Sequence, residues 1–196
     1  MKVIGITGGV GTGKSTVLNI LKEEYNATII EADKVAHQLM MPGGATYQPI
    51  IEAFGQEILE TDGGISRIKL GAIVFSDAEK LNQLNSITHP AVKDFIVNTI
   101  QREAARGQDA FVVIEAALLI ETGYQDICDE IWYIYSDENV RIQRLMASRG
   151  YSKEKCISIM KNQSNEAFYR ENCQQVIDNS GDFIYTKQQI DNLLKK

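Results

Sequence analysis

Residues 2–16, KVIGITGGVGTGKST, constrain this chain more than any other stretch: a short apolar run breaks into glycines and then opens into helical spacing at Leu18, Leu21 and Tyr25. Gly8, Gly13, Lys14 and Ser15 satisfy the pattern G-x-x-x-x-G-K-[ST], placed after a strand and at the start of a helix, the context that the pattern requires. Glycines there let backbone N–H groups turn inward around a β-phosphate, and the helix start adds partial positive charge. Lys14 then reaches the β and γ oxygens while the Ser15 hydroxyl suits Mg²⁺. The expectation is ATP bound by Gly9, Val10, Gly11, Thr12, Gly13, Lys14, Ser15 and Thr16. The alternative is a glycine-rich turn that only joins strand to helix.

With 196 residues the chain reads as one domain, or one domain carrying insertions. Its net charge of −6 repels a polyanion, which argues against a nucleic-acid partner. Cys128, Cys156 and Cys173 are odd in number and far apart, which fits reduced thiols in a cytoplasmic protein rather than a zinc site or a disulfide framework. No apolar run approaches the roughly 18 residues that span a bilayer, so neither export nor a membrane is expected.

Four further apolar runs read as strands: 27–31, 111–115, 131–135 and 175–178. Runs apolar on both faces suit a parallel sheet covered by helices, so the expected fold is a three-layer α/β P-loop fold with a five-stranded parallel sheet. About eighty residues separate the second and third strands, more than one crossover helix uses, which implies an inserted acceptor-binding subdomain. Within it Pro90 reads as a first-turn proline ahead of a stripe formed by Val92, Phe95, Ile96, Thr99 and Ile100, and ETDGGIS at 60–66 reads as a turn. Asp137 is expected to cap a helix bearing Arg141, Arg144 and Arg149 that stops at Gly150. A helix from about Ser152 and a terminal helix capped by Thr186 complete the pattern.

ATP binding leaves open a hydrolysing switch or a kinase acting on a small molecule. Asn-Lys-x-Asp does not occur, which argues against a guanine-nucleotide switch. A kinase needs a group that holds and deprotonates the acceptor hydroxyl near a strand's carboxyl end. Asp33, just past the second strand, can be that base or a cap for the following helix. Glu115 ends the third strand, as a Mg²⁺-holding acid or a solvated strand-end acid. The three arginines can close over ATP or form a solvated helix face.

Taken together, GITGGVGTGKST at 5–16, EAD at 31–33, LNSITHP at 84–90, IEAALLIETG at 114–123, Arg144 with Arg149, Gln163 and VIDNSGD at 176–182 resemble the dephospho-coenzyme A kinases. That resemblance implies transfer of the ATP phosphoryl group to the ribose 3′-hydroxyl of dephospho-coenzyme A, giving coenzyme A and ADP, with Mg²⁺. It also implies a three-part build on a single domain: a nucleotide core at 1–33, 108–136 and 172–196, a coenzyme A-binding insertion with a helical character at 34–107, and a small helical lid at 137–171. It makes Asp33 the acceptor base, Lys14 and Arg144 catalytic, and His89 an acceptor contact or a structural residue ahead of Pro90. Ser15 and Glu115 would hold the metal. A monomer or weak oligomer is expected. Glu31 departs from the family's usual Asp, and Ala116–Ala117 stand where many members carry a proline. Another small-molecule kinase, or a regulatory ATPase, is the alternative.

Overall fold

Five parallel strands organise the structure in the order β2-β3-β1-β4-β5, with β1 at Lys2–Thr7, β2 at Thr28–Glu31, β3 at Phe111–Glu115, β4 at Glu130–Tyr135 and β5 at Gln175–Asp178. The computed structural model describes residues 1–107 and 111–195; positions 108–110, where the expected second core segment begins, and 196 lie outside the described residues. β1 is central, pairing with β3 from Lys2↔Phe111 to Ile6↔Glu115 and with β4 from Ile4↔Glu130 to Thr7↔Tyr133. Period-two alternation then sends the strand residues to two faces, and both are apolar.

One face gathers Ile4, Ile6, Val113, Trp132, Ile134 and Ile177 against Val17, Leu18, Ile20 and Leu21 of α1 (Lys14–Tyr25) and Ile190 of α9 (Phe183–Leu194). Trp132 is fully buried there, and side chains of this class each contribute roughly 1.5–3 kcal/mol when removed from water. On the other face Tyr133 stacks on Tyr169 of α8 (Glu166–Asn172) with ring centroids 4.7 Å apart. A Cβ on Gly5 would come within 3.0 Å of both Cys128 and Leu119, so the segment after β3 covers that face closely. Between β4 and α8 run α6 (Glu138–Arg149) and α7 (Lys153–Lys161), which share a small core of Ile142, Leu145 and Cys156.

The chain divides into two compact units, Met1–Ile30 with Glu103–Lys196, and Glu31–Arg102. The second unit holds α2 (Ala32–Leu39), α3 (Tyr47–Phe54), α4 (Arg67–Val74) and most of α5 (Ala78–Ala104). Its core is Ile50, Phe54, Ile58, Leu70 and Val74. The turn read at 60–66 is present: Leu59 and Ile65 form an antiparallel bridge, and Glu60 N–H donates to Gly64 O at 2.8 Å. No helix among the described residues is long and apolar enough to cross a membrane.

Three local expectations need correction. Pro90 lies inside α5 rather than in a first turn, because the helix starts a dozen residues earlier, where Asp77 Oδ1 accepts from Glu79 N–H at 2.9 Å and Lys80 N–H at 3.2 Å. The only backbone bond Pro90 cannot make is the one to Ser86 O four residues back, and the long helix bears that loss. Thr186 does not cap α9. Asp182 does, accepting from Tyr185 N–H at 2.8 Å, and the buried Thr186 hydroxyl instead donates to Asn179 Oδ1 at 2.9 Å. Asp137 stands at the start of α6 without a side-chain cap, since its Oδ1 accepts the Tyr135 hydroxyl at 2.7 Å. α8, a seven-residue helix, has no counterpart in the sequence reading.

Candidate active site

The loop between β1 and α1 has the backbone that its glycines permit. Gly13 stands at the head of α1 with φ +82°, and a Cβ there would overlap Asn179 Nδ2. Gly8 has φ +147°, and a Cβ would come within 2.6 Å of Ile134 O, which is backbone and cannot move aside. Thr12 is buried and closes the loop on itself, its hydroxyl donating to Gly9 O at 2.9 Å. Lys14 Nζ folds back to donate to Gly8 O at 2.9 Å and lies 3.5 Å from Glu115 Oε1. Lys14 and Glu115 thus meet at the carboxyl end of the sheet, as expected of a phosphate-loop lysine and a strand-end acid. The Ser15 hydroxyl is exposed on the first turn of α1.

The arginines divide the work. Arg144 supports the loop from below: its Nη1 donates to Thr12 O at 3.3 Å and Ser136 Oγ at 3.0 Å, and its Nη2 donates to Asn179 O at 2.8 Å. Arg141 grips the loop from the other side, with Nε donating to Val10 O at 2.9 Å and Nη2 donating to Gln163 Oε1 at 3.0 Å. Gln163 Oε1 also accepts from Val10 N–H at 3.0 Å. Both polar groups of the Val10 peptide are therefore held by side chains from α6 and from the end of α7. Arg149 stands apart at the end of α6, with its guanidinium 6.0 Å from the Tyr151 ring centroid.

Sequence reasoning missed the group that fastens the last strand's loop under the phosphate loop. Asn179 is buried; its Nδ2 donates to Thr12 O at 2.8 Å, its Oδ1 accepts from Thr186, and its backbone oxygen accepts from Ser136 Oγ and Arg144. The signal that could have found it is an Asn directly after a short strand and three residues ahead of a helix-capping Asp. We expect Asn179→Ala to destabilise the protein by about 1–3 kcal/mol, because it removes two buried hydrogen bonds, one to Thr12 O, which keeps Ser136 and Arg144, and one from the Thr186 hydroxyl, which keeps only Asp182 O at 3.3 Å. Thermal unfolding of the variant measures this, and an unchanged midpoint would sink it.

In the second unit, Asp33 is the second residue of α2, two positions beyond β2, exposed and without an ion-pair partner among the described residues. Glu31 is engaged by Lys34, Nζ to Oε1 at 2.7 Å. His89 is exposed on α5. Among the described residues no three acidic, His or Cys side chains cluster as metal ligands. Burial pushes the Cys128 thiol up to about 12 and that of Cys173 up to about 11, which disfavours the thiolate at both.

A parallel sheet in this order, with a lysine-bearing glycine loop after its central strand, defines a P-loop kinase fold. The dephospho-CoA kinase (CoaE) family model matches residues 2–184. The chain is 41% identical to the dephospho-CoA kinase of Carboxydothermus hydrogenoformans, over 100% of this chain and 94% of that one. Among solved structures, TT1252 from Thermus thermophilus superposes with a TM-score of 0.82 at 26% identity, covering 99% of this chain and 96% of that one. A dephospho-CoA kinase from Campylobacter jejuni shares the fold, with a TM-score of 0.71 at 23% identity over 98% of this chain and 95% of that one. This chain belongs to the dephospho-CoA kinase family.

Proposed function

We infer that this protein transfers the γ-phosphoryl group of ATP to the ribose 3′-hydroxyl of dephospho-coenzyme A, releasing ADP and coenzyme A. Family membership across residues 2–184, on a chain whose phosphate loop is complete, carries that reading. Phosphoryl transfer asks the protein mainly for positioning and charge neutralisation. In this reading the amides from Gly9 to Thr16 hold the phosphates, Lys14 balances charge on the β and γ oxygens, and Arg144 adds a fixed positive charge beside Thr12 and Gly13. Asp33 orients the acceptor hydroxyl and takes its proton, and His89 contacts the acceptor. The insertion at 34–107 takes part in acceptor binding, and 137–171 serves as the lid.

Mg²⁺ fits the donors present. It keeps most of its water and needs few protein oxygens, so the exposed Ser15 hydroxyl and the Glu115 carboxylate suffice, and a three-carboxylate cluster is not required. When bound it neutralises charge on the β- and γ-phosphates. The proposed setting is the cytoplasm, consistent with three free cysteines, and the proposed assembly is a monomer or weak oligomer.

The test is direct. Purified protein with Mg²⁺, ATP and dephospho-coenzyme A should yield an acceptor heavier by one phosphoryl group, and ADP release should depend on the acceptor. Release of ADP at the same rate without acceptor would favour an ATPase and overturn the reading.

A further inference from the structure

A cavity of about 370 Å³ opens beside the phosphate loop, bounded by Gly9, Tyr133, Arg141, Met160, Gln163 and Tyr169. Its size falls in the range of small-ligand sites. We propose that this cavity, lying between β4, α7 and α8, receives the adenine base of the acceptor nucleotide. The proposal rests on the kinase reading above and adds to it the place of one substrate part.

Direction along the loop is the first argument. A phosphate-loop lysine reaches the β and γ oxygens, whereas the residues opening the helix hold the inner phosphates. Lys14 Nζ lies on Gly8 O, so the Gly8–Gly9 end of the loop is the terminal-phosphate end. The cavity opens at that end, where Gly9 forms part of its wall. Arg141 Nη2 stands 2.5 Å from where a Gly9 Cβ would be, which puts a cation beside the same point. Phosphoryl transfer proceeds with attacking and leaving oxygens in line, so the acceptor approaches the γ-phosphorus from the side away from the β-phosphate. A cavity that adjoins this end of the loop is therefore within reach of the arriving acceptor.

Covalent reach is the second argument. The reacting hydroxyl sits on the ribose itself, so the acceptor's base lies within one sugar ring of the phosphorus. A pocket that abuts the loop is where that base has to go, whereas the pantetheine arm leaves from the other end of the ribose.

Chemistry is the third. Purine faces favour aromatic and polarizable surroundings, and purine edges favour amides. Tyr133 and Tyr169 supply an aromatic wall and Met160 with Ile157 a polarizable one. Gln163 spends its Oε1 on Val10 N–H and Arg141, and its Nε2 carries no hydrogen bond among the described residues. That amide donor remains for a ring nitrogen. Through the same side chain, occupancy of the cavity would bear on the Val10 peptide of the phosphate loop.

Ser164→Trp tests this by filling the cavity from its rim; the residue is partly exposed, and its hydroxyl donates to Glu121 at 3.0 Å and meets the Tyr169 hydroxyl. The expected result is a KM for dephospho-coenzyme A raised about tenfold or more, with the KM for ATP within about twofold of wild type. A raised KM for ATP with an unchanged acceptor KM would assign the cavity to the base of ATP and overturn the proposal, as would two unchanged constants. If that variant unfolds, Lys161→Trp, at an exposed position on the cavity's rim, supplies the same reading, with the same direction expected and the same two outcomes against it. Wild-type protein that forms no coenzyme A sinks the functional reading and the pocket together; active wild type with an unmoved acceptor KM sinks the pocket alone.

Discussion

Lys14→Ala should lower kcat by about 10²–10³-fold and weaken ATP binding as well, the scale seen when one preorganised donor to a developing charge is lost. The ammonium has no substitute in the described structure: it stands against Gly8 O at 2.9 Å and against Glu115 at 3.5 Å, at the terminal-phosphate end of the loop. Neither Arg144 nor Arg141 can move in, because the first already carries Thr12, Ser136 and Asn179 and the second Val10 O and Gln163. Removal of Lys14 also leaves the Glu115 carboxylate facing the phosphates without the cation between them, so the loss exceeds that of a single hydrogen bond. Lys14→Arg should not restore full activity, since a planar fork replaces a compact point charge in a site shaped for the latter. Steady-state kinetics with an ATP titration reads both effects. A kcat within threefold of wild type would remove Lys14 from the chemistry.

Much of this site was legible because its signals are local. GGVGTGKS states its own geometry: glycines at positions where a Cβ would meet Ile134 O or Asn179, and a lysine whose reach is set by one helical turn. The strands were legible for a similar reason, since a parallel strand covered on both faces is largely apolar; even QVID at the sheet's edge, polar at both ends, was read with its observed limits, 175–178. What escaped depends on contacts between distant segments. Thr186 looks like a helix cap in isolation; it is drawn instead to Asn179, while Asp182, four residues earlier, takes the end of the helix. Pro90 looks like a helix start because a proline is tolerated there, but the helix had already begun at Ala78. Arg141 and Arg144 are three residues apart on one helix and carry the same side chain. Only the fold shows that one holds the loop through Val10 and the other through Thr12 and Asn179.

For Asp33 the decisive substitution is Asn, because it separates a proton-accepting role from a structural one. Asparagine caps and supports a helix start about as well as aspartate does, so a residue serving only α2 would tolerate the change with little loss of stability or turnover. A carboxylate that takes the acceptor's proton cannot be replaced in this way: the amide can still accept a hydrogen bond through its oxygen, but it cannot bind the proton. We therefore expect Asp33→Asn to reduce kcat by about 10²-fold or more while leaving the KM for ATP and the unfolding midpoint near wild-type values. Asp33 is exposed and carries no ion-pair partner among the described residues, so no internal salt bridge confounds the comparison. Glu31→Gln is the matched control, since that carboxylate is already engaged by Lys34 and an exposed pair of this kind is worth little. The control should keep most of its turnover. Equal turnover in Asp33→Asn and Glu31→Gln would show that the proton goes elsewhere, and a drop in unfolding midpoint with normal kcat would return Asp33 to the helix it begins.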